Sequence, residues 1–109
     1  MIKISVSRDE VRGINCIIVK GHAEYAAYGK DIVCAAVSSL VICLFNFISF
    51  KFGLECFSYG KNQIIGKIPF LTDKSLSSDL QLILEALVFS LKMIAEKYPK
   101  NVTFVEVTN

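Results

Sequence analysis

Ile2, Ile4 and Val6 alternate with Lys3, Ser5 and Ser7, the two-residue period of a strand with one face buried. Arg8 to Gly13 is charged and ends in glycine, which predicts a turn. Ile14 to Lys20 follows as a second strand, apolar on both faces around Ile17, Ile18 and Val19, as a central strand is. The two form a hairpin that delivers Gly21 and His22 to the sheet edge, and Gly21 lets the backbone leave the strand at an angle a side chain would oppose. Ala23 to Lys30 then reads as a connecting loop. From Ile32 to Phe50 the chain carries no charge over nineteen residues, long enough to raise a membrane span. The polar positions argue for a core helix instead. At about 100° per residue, Ser38, Ser39, Asn46 and Ser49 gather within an arc of roughly 100°, and Asp31 projects into the same stripe. Cys34 borders that stripe, where a thiol stays accessible. Gly53, after Lys51, closes the helix.

Leu54 to Tyr59 and Gln63 to Ile68 flank a short Gly60-Lys61-Asn62 loop, predicting a second hairpin. Pro69 to Ser75 is a loop. A second helix begins at Ser77 or Ser78, the latter with capping-box spacing to Gln81, and runs to about Lys97. Its polar residues, among them Ser78, Gln81, Glu85 and Lys92, form one stripe opposite Leu80, Leu84, Leu87 and Leu91. Pro99 stops it, and Val102 to Val107 supplies a last strand. The order strand, strand, helix, strand, strand, helix, strand predicts an α+β fold: a two-layer sandwich, largely antiparallel, with two helices packed on one face. Residues 1–109 form a single domain. An apolar first helix leaves surface that one sheet does not cover, which a homodimer interface would bury.

Composition narrows the function classes. The chain of 109 residues is 53% hydrophobic and 20% charged, too apolar for a disordered chain. Its formal net charge of +2, with Lys and Arg scattered, gives a weak nucleic-acid footprint. Cys16, Cys34, Cys43 and Cys56 make no C-x-x-C pair, and one histidine cannot complete a zinc-finger pattern, so no metal and no cofactor are expected. The first residues lack the apolar run of a secretory signal, which predicts a reducing, cytoplasmic setting with free thiols.

Candidate chemistry concentrates in Gly21 to Ser38, GHAEYAAYGKDIVCAAVS. His22 is the sole imidazole. With Asp31 as helix N-cap, Cys34 falls near the third helical position, where the positive end of the helix dipole favours thiolate and free amides near Ala35 can receive an oxyanion. The layout is that of a cysteine nucleophile. A cysteine on an apolar helix is also a common packing residue, and sequence spacing does not establish contact with His22. Asp31 is open to two roles, helix cap or third member orienting His22. Tyr25 and Tyr28 cap the core or line an apolar groove; Ser38 touches substrate or belongs to the polar stripe. Cys16, Cys43 and Cys56 fit core positions.

Gly21-His22-Ala23, the Gly29-x-Asp31 pair and DIVCAAVS at Asp31 to Ser38 resemble the ribosomal-processing cysteine protease (Prp, or YsxB-like) family. The close match covers about eighteen residues, and the order of elements is compatible along the whole chain. The resemblance implies an endopeptidase with Cys34 as nucleophile and His22 as its base. It further implies a substrate: the apolar N-terminal extension, ending in aromatics, of the twenty-seventh protein of the large ribosomal subunit. Two rival readings accompany it, a non-catalytic ribosome- or RNA-associated module and a small membrane protein anchored by residues 32–50.

Overall fold

The computed structural model describes residues 1–21 and 28–109, and for residues 28–31 the backbone alone. Alternation of β-branched and polar residues yields β1 (Ile2–Asp9), and the more continuously apolar run after it yields β2 (Gly13–Lys20), each eight residues long. Two short strands, β3 (Phe57–Tyr59) and β4 (Gln63–Lys67), follow the helix α1 (Tyr28–Phe52). Helix α2 (Lys74–Lys97) and strand β5 (Val102–Thr108) complete the chain. The sheet runs β3-β4-β2-β1-β5. The hairpin pairs and β2 against β4 are antiparallel, whereas β5 lies parallel to β1, so the sheet is mixed. The parallel pair follows from connectivity: β5 returns from α2 by a crossover and not by a tight turn.

Inward positions of the strands meet both helices in one buried cluster. Ile2, Ile4 and Val6 of β1 and Ile14, Ile17 and Val19 of β2 pack with Val33, Val37, Val41, Phe45 and Ile48 of α1. From α2, Leu80, Leu84, Leu87 and Leu91 enter the same cluster. Each such side chain taken from water contributes about 1.5–3 kcal/mol before the entropy of ordering it is subtracted.

One glycine sets how closely α1 approaches the sheet. The Phe45 and Phe57 rings stack with centroids 4.0 Å apart, over Gly66 of β4. A Cβ on Gly66 would lie 2.8 Å from Phe45 Cζ and 2.9 Å from Phe57 Cδ1, distances that real Cβ contacts do not show.

Three sequence expectations are corrected here. Helix α2 starts four residues before Ser78: Asp73 is its N-cap, accepting from the Leu76 N–H at 3.0 Å. Gln81 does no capping. It reaches β2 beyond the last residue paired with β4, where Nε2 donates to the Ile14 carbonyl at 2.9 Å and Oε1 accepts from the Ile14 N–H at 2.8 Å. The side chain stands in for a missing strand partner. Cys43 is exposed on α1 instead of buried in the core, while Cys16 and Cys56 are half-buried.

Both helices keep apolar side chains on their outer faces, on α2 Leu82, Phe89 and Met93 among them. Ile32–Phe52 is long and apolar enough to cross a membrane by length and composition, although Val33, Val37, Val41, Phe45 and Ile48 are buried in the core. Outside the core, Ile32 and Phe47 are exposed and Phe50 is 85% exposed.

Candidate active site

Cys34 is brought to a cavity by the way α1 crosses the end of β2. Val33 and Val37 are fixed in the core, so Cys34, one position on from Val33, is turned to the margin of the buried face and is half-buried. Beside it lies a cavity of about 210 Å³. Cys34, Ser38 and Ile42 of α1 form one side, Val19 and Gly21 at the end of β2 another, and residues 59–64 of the β3–β4 hairpin the third. Ser38 therefore shares a cavity with the thiol, one helical turn away. Ala35 is exposed next to Cys34.

Gly21 anchors the point from which the chain departs toward His22. Its φ of 79° lies in the left-handed region, and an added Cβ would sit 2.5 Å from the Met1 carbonyl oxygen. Its N–H donates to the Asn62 carbonyl at 2.8 Å, tying the end of β2 to the tip of the second hairpin. His22 and Tyr25 lie outside the described residues, as do the side chains of Tyr28 and Asp31.

The start of α1 changes the local electrostatics expected from sequence. The described part of α1 already includes Tyr28, three residues before Asp31, so Asp31 lies inside the helix and is not its N-cap, and Tyr28 is a helical residue and not part of a loop. Cys34 has at least six helical residues before it. Only the first four amides of a helix lack intrahelical partners, so the Ala35 N–H falls within the hydrogen-bonded ladder. Ala35 is thereby removed as a helix-end oxyanion donor. The sequence misplaced the cap because Gly29 and Lys30 read as loop residues.

The third wall has no local signal in the sequence. Tyr59, Gln63 and Ile64 reach the cavity only because β4 pairs with β2 in the register Val19 to Ile64 and Lys20 to Gln63. The Tyr59 hydroxyl donates to Asn46 Oδ1 at 3.3 Å, bridging hairpin and helix. Burial, with Cys56 nearby, raises the Tyr59 phenol above its ordinary value, and burial raises the Cys56 thiol. Among the described residues no group of three His, Cys, Asp or Glu side chains is close enough together to hold a metal ion.

Residues 1–103 match the family described as Cysteine protease Prp. The ribosomal processing cysteine protease Prp of Mycoplasma genitalium is 31% identical over 107 residues, covering 97% of this chain and 96% of that one. Among solved structures, SMU.848 from Streptococcus mutans superposes with a TM-score of 0.81 at 30% identity, covering 100% of this chain and 96% of that chain. The ribosomal processing protease Prp from Staphylococcus aureus, in complex with a substrate peptide, gives a TM-score of 0.77 at 26% identity, over 97% of this chain and 99% of that one. The same Staphylococcus aureus protein with a covalently linked product peptide gives 0.73. A thiol at a cavity between the first helix and the second hairpin, in a fold and sequence shared along the chain with these enzymes, places the protein in the cysteine protease Prp family, as a cysteine protease.

Proposed function

We propose that this protease removes the apolar N-terminal extension of the twenty-seventh protein of the large ribosomal subunit, with Cys34 as nucleophile and His22 as its base. The observation that carries the reading is the half-buried Cys34 thiol on the wall of a cavity whose rim ends at Gly21, the residue before His22. Supporting it, relatives spanning the whole chain are named for ribosomal processing, and one was crystallised with a substrate peptide and with a covalently linked product peptide.

In this reading His22 takes the Cys34 proton, or holds it in a thiolate–imidazolium pair. The thiolate adds to the scissile carbonyl and the C–N bond breaks as imidazolium protonates the leaving amine. Water, deprotonated by the now neutral imidazole, then hydrolyses the thioester and restores the thiol. Ser38, one turn from the sulfur, contacts the substrate backbone. Asp31 supports the imidazole, and Tyr25 and Tyr28 face apolar substrate residues. The enzyme works in the cytoplasm, where its four free cysteines stay reduced.

A second copy of the chain covers the outward face of the helices, where Phe50 of α1 and Leu82 of α2 are 85% and 72% exposed. Phe50→Glu then gives a slower-associating or monomeric species in sedimentation velocity. The test of the activity is incubation with a synthetic peptide spanning the extension, read by mass spectrometry. Two fragments are expected from the wild-type protein and none from Cys34→Ser; equal cleavage by both would remove the assignment.

A further inference from the structure

The cavity beside Cys34 has a direction. On α1, Cys34, Ser38, Ile42 and Asn46 follow one another at four-residue spacing, a stripe that winds slowly round the helix over about 18 Å. The first three line the cavity, and the fourth accepts the Tyr59 hydrogen bond. Facing the stripe across the gap are Tyr59 and the rest of the second hairpin as far as Ile64. Buried Val19 and half-buried Ile42 and Ile64 give the channel apolar walls, while Ser38 and Gln63 add polar groups within reach of a peptide backbone. The thiol stands at one end. At the other, Tyr59 is 50% exposed, presenting an aromatic ring whose hydroxyl is already tied to Asn46.

An extended chain rises about 3.3 Å per residue, so 18 Å accommodates about five residues. A side chain carried that distance from the reacting carbonyl would meet the Tyr59 ring. Aromatic and large apolar side chains gain most there, by burial and by ring-on-ring packing. We infer that the channel between α1 and the second hairpin binds about five substrate residues in extended form on one side of the scissile bond, and that Tyr59, braced by Asn46, determines specificity for an aromatic or large apolar side chain at its far end. This rests on Cys34 being the nucleophile, which has its own readout in turnover by Cys34→Ser.

The test is binding without turnover. A fluorescein-labelled synthetic peptide carrying the apolar extension is titrated by anisotropy into Cys34→Ala protein, and then into the same protein bearing Ile42→Trp or Tyr59→Ala. Each added substitution is expected to weaken binding tenfold or more, Ile42→Trp by filling the channel and Tyr59→Ala by removing its far wall. Replacing the large apolar residue about five positions from the scissile bond with alanine should cost at least fivefold with Tyr59 present and under twofold without it. Shortening the peptide from one end should lose affinity over about five residues and then level off. If Ile42→Trp fails to fold, Tyr59→Ala, at a half-exposed position, decides alone. Affinity within twofold of the parent in the Tyr59→Ala protein, or equal losses from that apolar-to-alanine replacement with and without Tyr59, would overturn the inference.

Discussion

The two helices, 25 and 24 residues long among the described residues, lie in one layer, yet they serve different ends. Helix α2 is fixed at every level: an aspartate cap, a leucine stripe in the core, the Gln81 graft onto β2, and an ion-paired clamp at its middle. In that clamp Arg8 of β1 donates through both terminal nitrogens to Glu85, at 2.6 and 2.7 Å, and through Nε to Glu106 of β5 at 2.9 Å. Helix α1 also buries one stripe, but turns the neighbouring Cys34 thiol to a cavity. The contrast teaches a division of labour: α2 and the β1–β5 edge hold the fold, while α1 spends part of its surface on an opening that packing alone would have filled.

The largest effect expected is at the α1 end. Cys34→Ala should lower peptide turnover by roughly 10³-fold or more, because loss of the nucleophile removes the covalent path, while leaving the denaturant midpoint close to wild type. Leu84→Ala, in the middle of the α2 stripe, reverses the pattern: about 2–5 kcal/mol of stability lost in urea unfolding, with turnover per folded molecule little changed. Gly66→Ala falls between them, since it forces the Phe45–Phe57 pair and hence α1 away from the sheet. It should cost about 1–3 kcal/mol and lower turnover too, and a variant that loses neither would blur the division between the helices.

Smallest is the Arg8 clamp, whose partners are partly solvated, so Arg8→Ala should cost only about 1 kcal/mol near neutral pH. Its pH dependence identifies it. Arg8 holds the Glu85 carboxyl below its ordinary value of 4.5. A depressed folded-state value contributes stability above the unfolded value, lost as pH falls through the folded one. The difference in melting temperature between wild type and Arg8→Ala should therefore be full above about pH 5 and shrink on acidification.

What the sequence revealed follows the same division. Alternation in Ile2, Ile4 and Val6 and the leucine spacing of α2 specified strand and helix faces directly, because burial on one side leaves a periodic record. Helix starts were read less well. The Asp73 cap is hidden because Lys74 and Ser75 carry no apolar period, and Asp31 has a cap's spacing to Cys34 although the helix already includes Tyr28, Gly29 and Lys30. The Cys34 position was legible from local spacing and from the resemblance of the surrounding motif. The hairpin wall was not, because Tyr59 and Ile64 reach the cavity through strand register, a long-range pairing with no local signature.

The central claim, that one sulfur of four performs the reaction with the sole imidazole, is most directly tested by active-site labelling. A peptidyl chloromethyl ketone bearing the residues before the scissile bond is added at neutral pH, and the adduct is mapped by tryptic mass spectrometry. The account predicts one adduct, on Cys34, formed at least about a hundredfold more slowly in His22→Ala. Labelling that favours exposed Cys43, or a rate on Cys34 unchanged by loss of His22, would contradict it.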